Sequence, residues 1–318
     1  MCGVVDELAR VLVTGAGGFI GRALCPALAA RGHQVIAGLR RLGATPGGSQ
    51  PLVLGEISPA TDWSAALRGV TAVIHLAQRA HVGPDPTALA AEPATVAALL
   101  GAMAPSDTRR LVLVSSVKAM GEATAPGRPF RPDDPPRPGD AYGRAKLASE
   151  QAATAAARNV GVELVVIRPP LVYGPGVGAN FAALLRLAAS GLPLPFAALD
   201  NRRSLIARDN LVDLLAFAVT HPAAAGMSLL ARDDEEFSTP GLILTLAAGL
   251  GRPARLFPVP AALLAALRPV PAIGRRIARL TGSLQVDDSA TRSTLGWVPP
   301  VQAADALIAT ARAFAGRL

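Results

Sequence analysis

The sequence has only two cysteines in 318 residues, Cys2 and Cys25. Neither a disulfide framework nor a cysteine metal cluster is available, and a reducing cytoplasm is the expected setting. Aromatic residues are scarce at 4%, and there is no arginine-rich tract or zinc-finger spacing. The stacking surfaces and basic stripes that nucleic-acid binding requires are therefore not expected. No apolar run reaches the ~20 residues needed to cross a bilayer. The opening MCGVVDELAR carries two acids and no long apolar core, so it does not read as a secretory signal. The expectation is a soluble protein with no nucleic-acid partner, no integral membrane span and no bound metal. The net charge of +8 arises from basic residues that are mostly scattered singly, which carries little weight for an anionic partner.

What is present is an alternation. The runs RVLVTG, QVIAGLR, PLVLGE, AVIHLA, RLVLVSS and ELVVIRP lie between residues 10 and 169, and continuous Val/Ile/Leu runs are the mark of strands buried on both faces of a parallel sheet. FIGRALCPALAARG, TDWSAALRG and ATVAALLGAMA between them show apolar residues at helical spacing. This predicts an α/β fold, a Rossmann-type doubly wound parallel sheet. After residue 173 the rhythm changes to helices broken by Pro and Gly, so residues 1–173 are expected to form the nucleotide-binding domain. Residues 174–318 are expected to form a smaller, mostly helical substrate domain, with some segments returning to the sheet. The stretch 257–280 is helical, proline-broken and partly basic, and a cap over a ligand is expected there rather than a membrane contact. The proline-rich stretch 121–140 cannot be regular structure; its place before the next motif predicts an ordered loop over a site.

The turn TGAGGFIG follows the first strand and opens a helix. Ile20 stands where a G-x-G-x-x-G pattern needs its third glycine, yet Gly15, Gly18 and Gly21 satisfy the longer G-x-x-G-x-x-G. Gly15 would allow the tight turn, Gly18 the close approach of a pyrophosphate, and Gly21 the packing of helix on strand. The helix N-terminus would then offer its free N–H groups to the anion. After the second strand no acid is present to receive a ribose hydroxyl, and Arg40 and Arg41 stand where a 2′-phosphate would lie, which favours NADP(H) over NAD(H). Glu56 is a candidate adenine contact.

In DAYGRAKLASEQAA, Tyr142 and Lys146 are four residues apart and share a helix face. An ammonium beside a phenol lowers its pKa from ~10, so the pair is expected to exchange a proton with a sugar hydroxyl or ketone. VLVSSVKAMGE precedes them at a strand end. With VIHLA, YGRAK, RPPLVYGPG and LGWVP, the chain resembles, over nearly its whole length, the extended short-chain dehydrogenase/reductase family of nucleotide-sugar epimerases, dehydratases and reductases. The resemblance implies that Ser116 hydrogen-bonds the reacting sugar oxygen, Tyr142 is the general acid/base, and Lys146 also binds the nicotinamide ribose. It further implies a cofactor surface of Gly15, Gly18, Phe19, Ile20, Gly21, Arg40, Arg41, Glu56, Ile57, Leu76, Ala77, Tyr142, Lys146 and Pro169. Substrate contacts are implied at Ser116, and at Asn180 and Arg203 as candidate ligands of the diphosphate and uridine of a UDP-sugar; Lys118 is a further candidate substrate contact, with solvent exposure as the alternative.

Two departures stand out. The dehydratases of the family carry an acidic pair after the Ser/Thr, where this chain has Val117 and Lys118, so dehydration is disfavoured. The family's asparagine before its central helix gives way to Glu92 and Pro93, which puts proton relay through that site in doubt. The motif set is most similar to a branch of UDP-sugar 4-epimerases and 4-ketoreductases. The expected activity is a cytoplasmic 4-ketoreductase acting on a UDP-linked 4-keto-6-deoxy-N-acetylhexosamine for surface polysaccharide. The alternatives are a UDP-sugar 4-epimerase with tightly bound NAD and, more remotely, a non-catalytic NADP sensor or scaffold. A homodimer is left open.

Overall fold

The computed structural model describes residues 8–78, 86–267, 269–270 and 273–316. Cys2 lies outside the described residues, as do three positions of the 257–280 stretch. In chain order the elements of the first part are β1 (Arg10–Thr14), α1 (Gly21–Ala30), β2 (Gln34–Leu39), β3 (Ser49–Val53), β4 (Ala72–His75), α2 (Pro86–Met103), β5 (Arg110–Val114), α3 (Ala141–Val160) and β6 (Glu163–Arg168). There follow β7 (Leu171–Tyr173), α4 (Ala179–Ala189), β8 (Pro193–Leu194), β9 (Arg203–Ala207), α5 (Arg208–Thr220), β10 (Ser228–Leu230), β11 (Glu236–Phe237), α6 (Thr239–Gly249) and β12 (Arg255–Leu256). The chain closes with α7 (Ala261–Ala265), α8 (Gly274–Thr281), α9 (Ser289–Leu295) and α10 (Ala303–Ala315).

Seven strands form one parallel sheet in the order β10-β6-β5-β4-β1-β2-β3. Side chains alternate across it with period two. Val11 and Val13 of β1 join α1 and α5 through Leu24, Leu28, Leu211 and Leu215. Leu12, between them, joins Leu99 and Leu100 of α2 and Ala153 and Ala157 of α3 on the other face. That double burial is why the strands read as unbroken apolar runs. The sheet takes up α5 and β10 from beyond residue 173.

Two local expectations fail. The run at 51–56 enters the sheet two residues earlier, as β3, and is largely exposed; it is an edge strand, which is where Pro51 is tolerated. The segment 61–69 forms turns rather than a helix, although it buries Trp63, Ala66 and Leu67. The C-terminal part also holds small sheets, β11-β9-β7 and β12-β8, beside its helices.

The stretch 121–140 is ordered by its backbone. Thr124 N donates to Ser283 O, Phe130 N to Gln285 O and Asp287 N to Phe130 O, at 2.9 Å each. It leads into α3, whose ends are both signalled locally. The Asp140 carboxylate accepts from Gly143 N at 2.7 Å, a cap worth about 1 kcal/mol. Gly161 at φ 69° ends the helix in the left-handed conformation.

Candidate active site

The strand order reverses between β1 and its neighbours β4 and β2, and ligands of open α/β sheets bind beyond the carboxyl ends of the strands at such a point. The glycine turn sits there. Gly15 adopts φ 70°, and a Cβ on it would lie 3.0 Å from Ala77 N. A Cβ on Gly21 would come within 2.6 Å of Ala16 Cα and Gly15 O, so only glycine lets α1 begin this close to the strand. Gly18 is exposed at the turn. Ile20 precedes α1 without any side-chain cap; Arg22 N and Ala23 N already donate to Gly18 O and Ile20 O at 3.0 Å each, so an anion would be met by the N–H groups of the turn ahead of them. These features fit a dinucleotide pyrophosphate.

Ser116 lies at the end of β5, where its Oγ accepts from Lys118 N at 3.2 Å. Tyr142 and Lys146 project from the first turns of α3, with the Lys146 ammonium 5.3 Å from the centre of the Tyr142 ring. A lower phenol pKa was expected, but burial pushes Tyr142 up to about 12, with Glu92 adding to the rise and a hydrogen bond with Ser116 opposing it. Burial brings Lys146 down to about 8, opposed by Glu92 and Glu150. The ammonium is 2% exposed, donates to the Gln78 carboxamide and pairs with Glu92 at 3.9 Å. His75 lies buried at the end of β4, its ring hydrogen-bonded to Thr14 Oγ1 at 3.0 Å. Burial depresses it to about 3, with help from Lys146, so it is neutral.

A buried network sets α3 against the sheet. Ser115, next to Ser116, hydrogen-bonds Glu150 of α3. Arg168, at the end of β6, grips the same carboxylate with Nη2 at 2.7 Å and Nε at 3.1 and 3.2 Å. Glu150 lies one turn beyond Lys146, so this fork fixes where Tyr142 and Lys146 stand relative to Ser116.

Of the other residues singled out in the sequence, Leu76 and Ala77 lie beside the turn, with Ala77 N donating to Thr14 Oγ1 at 3.3 Å. The Pro169 carbonyl accepts from Val117 N at 3.0 Å. Phe19 stacks under Arg208 at 5.6 Å. Arg40 and Arg41 are exposed just past β2, while Glu56 is exposed and Ile57 half-buried past β3. Lys118 does not stand free toward a substrate. It binds Asp140 at 2.5 Å and Glu122 at 3.0 Å, clasping both ends of the 121–140 stretch. Asn180 and Arg203 come together through a residue that sequence reasoning missed, Arg279 of α8. Arg279 donates to Asn180 Oδ1 at 3.2 Å, and its carbonyl accepts from Arg203 at 2.7 Å. Gln78 was missed as well; no local pattern marks either residue.

The doubly wound sheet, the glycine turn at its switch point and the Ser116, Tyr142 and Lys146 set define a nicotinamide-dependent enzyme of the extended short-chain dehydrogenase/reductase class. The family model described as "NAD dependent epimerase/dehydratase family" matches residues 11–228, and the chain belongs to that family. It is 37% identical over 311 residues to a UDP-glucose 4-epimerase of Vibrio cholerae, covering 96% of this chain and 95% of the relative. It is 31% identical to a 3-diazoavenalumate denitrifying reductase of a Streptomyces species, covering 91% and 96%. The fold of a UDP-glucuronic acid 4-epimerase from Bacillus cereus, solved in complex with NAD, is similar at a TM-score of 0.76 and 22% identity, over 95% of each chain. Among the described residues no helix is long and apolar enough to cross a membrane, and no group of His, Cys, Asp and Glu is placed to hold a metal ion.

Proposed function

We propose that the protein is a UDP-sugar 4-epimerase working with tightly held NAD. The observation that carries this over a reductase is the full-length likeness to the Vibrio cholerae UDP-glucose 4-epimerase. The sequence had favoured a 4-ketoreductase; the relatives support the epimerase better. The bound nicotinamide would supply a reversible hydride acceptor at the sugar C4. Tyr142 takes the C4 hydroxyl proton as the hydride leaves and gives it back when hydride returns to the opposite face. Ser116 hydrogen-bonds the same oxygen and stabilises its developing charge. Lys146 orients the ribose and opposes the cost of a phenolate in a buried site. Gly15, Gly18 and the uncapped start of α1 would receive the pyrophosphate. Asn180, Arg203 and Arg279 form a polar and cationic cluster suited to the UDP diphosphate, since guanidinium groups match phosphate oxygens in geometry and charge. The two positions after Ser116 are Val117 and Lys118 rather than an acidic pair, and Asp140 and Glu122 are engaged with Lys118, which speaks against loss of water.

A 4-ketoreductase using NADPH is the second reading, supported by the two exposed arginines after β2. One experiment separates them. The purified protein is examined for copurifying NAD and then given UDP-glucose or UDP-galactose. Interconversion without net cofactor consumption supports the epimerase, whereas stoichiometric loss of NADPH with a UDP-4-keto-6-deoxy sugar, and no interconversion, overturns it.

A further inference from the structure

We propose that Glu92 is a positioning residue of the active site, a buried counter-charge that holds the Lys146 ammonium in place and sets the pH range over which Tyr142 and Lys146 exchange protons. The proposal rests on the roles given above to those two residues.

Glu92 lies in the interior of α2, one residue before Pro93, and α2 packs along α3. Its residue is 8% exposed, and its Oε2 is 3.9 Å from Lys146 Nζ. A buried carboxylate carries a desolvation cost of several kcal/mol, which an ordinary helix position does not bear without a partner of opposite sign. Lys146 supplies such a charge. Glu150, one turn along α3, has its own cation in Arg168 of β6 at 2.7 Å. Asp140, before α3, has Lys118 at 2.5 Å. From β4 comes His75, neutral and tied to Thr14; just past β4, Gln78 offers an uncharged amide. On α3 itself Tyr142 faces Lys146, and from β5 Ser116 meets the phenol. Among the described residues Glu150 and Asp140 thus each pair with a cation other than Lys146, while Lys146 stands opposite Glu92.

The negative charge of Glu92 acts on both members in the same direction. It resists the loss of a proton from Lys146 and from Tyr142, and it appears among the causes that raise each. With Glu150 it keeps Lys146 cationic near neutral pH against the effect of burial, at the expense of a phenol that is harder to ionise. The same residue that departs from the family's asparagine is thereby a tuning charge.

The chain has two tyrosines. Tyr173 is buried and bonded to Asp233 at 2.6 Å, which holds it far above the ordinary phenol range. The first phenolate to form in the folded protein is therefore that of Tyr142, and its ultraviolet absorbance can be titrated with no substrate or cofactor added. Glu92→Gln is expected to lower the midpoint of that titration by about one unit or more, as loss of a nearby negative charge in a buried site requires. Both limbs of the pH profile for sugar turnover should move toward acid with it. Glu92→Asp draws the carboxylate back by one methylene and should give a smaller shift of the same sign, which keeps the test alive if the glutamine variant does not fold. An unshifted midpoint in the variant that folds, whatever happens to the level of activity, overturns the proposal. Retained turnover in Tyr142→Phe would instead overturn the roles on which it rests, and the phenolate titration does not depend on that result.

Discussion

Replacing Arg168 by Met tests whether the buried fork beneath the candidate active site holds α3. Arg168 is 9% exposed and Glu150 4% exposed. The guanidinium makes three close contacts to the carboxylate and a fourth to Met120 Sδ at 3.0 Å. Methionine fills much of the same volume but leaves Glu150 buried with only the Ser115 hydroxyl. Removing one partner of a buried pair costs about 3–5 kcal/mol, because the remaining charge must either stay uncompensated or take up a proton. A chain of 318 residues unfolds with an entropy of roughly 0.7 kcal/mol per kelvin, so the expected fall in Tm is about 4–7 °C. Calorimetry on Arg168→Met, Glu150→Leu and the double variant measures it. The double variant removes both charges and should recover part of the loss, less the cost of an orphaned Ser115 hydroxyl of ~1–3 kcal/mol. Because Tyr142 and Lys146 ride on the helix that Glu150 anchors, kcat should fall in Arg168→Met more than nicotinamide affinity does. A Tm loss under about 1 °C, or a double variant no more stable than the single ones, would refute the claim that this pair organises the site.

Tyr142→Phe is expected to lower turnover by at least a factor of about 10³ while leaving cofactor binding by fluorescence titration unchanged, since only the proposed proton-transfer group is lost. Arg203→Ala and Arg279→Ala should each raise KM for a UDP-sugar about tenfold or more with smaller effects on kcat, measured by initial rates, because in the proposed role they bind a diphosphate that does not react. The pH dependence of Lys146 has a definite sign. Burial lowers it from 10.5 to about 8, so between those values the unfolded chain holds a proton that the native chain has released. Stability should therefore rise with pH across this window, by about 3 kcal/mol in the limit. Activity, which needs the ammonium, should fall over the same range. Urea unfolding at pH 8 and pH 10 checks the first effect, and Lys146→Met should abolish the rise. Finally, Gly21→Ala should weaken dinucleotide binding and lower Tm by a few degrees, because its Cβ meets backbone atoms at 2.6 Å and such overpacking costs ~1–3 kcal/mol; an unchanged Tm would show that the turn can relax.

By itself the sequence determined the elements whose signals are local. Unbroken Val/Ile/Leu runs stand for the sheet's buried strands because a parallel strand covered on both faces has no polar side to display. The 15, 18, 21 glycine spacing marks the turn because a Cβ at 15 or 21 has nowhere to go. Tyr142 and Lys146 share a face because four residues make about one helical turn. Tertiary structure decided what depends on residues far apart in the chain. Glu92 meets Lys146 across two packed helices, and Arg279 joins Asn180 and Arg203 across 99 and 76 residues; no periodicity reports such meetings. The return of β10 to the sheet and the edge position of β3 depend equally on strand order. So does the ionisation of the site. Tyr142 and Lys146 beside each other predict an easily ionised phenol, but the depth of burial and the carboxylate facing them exist only in the folded chain, and they reverse that expectation.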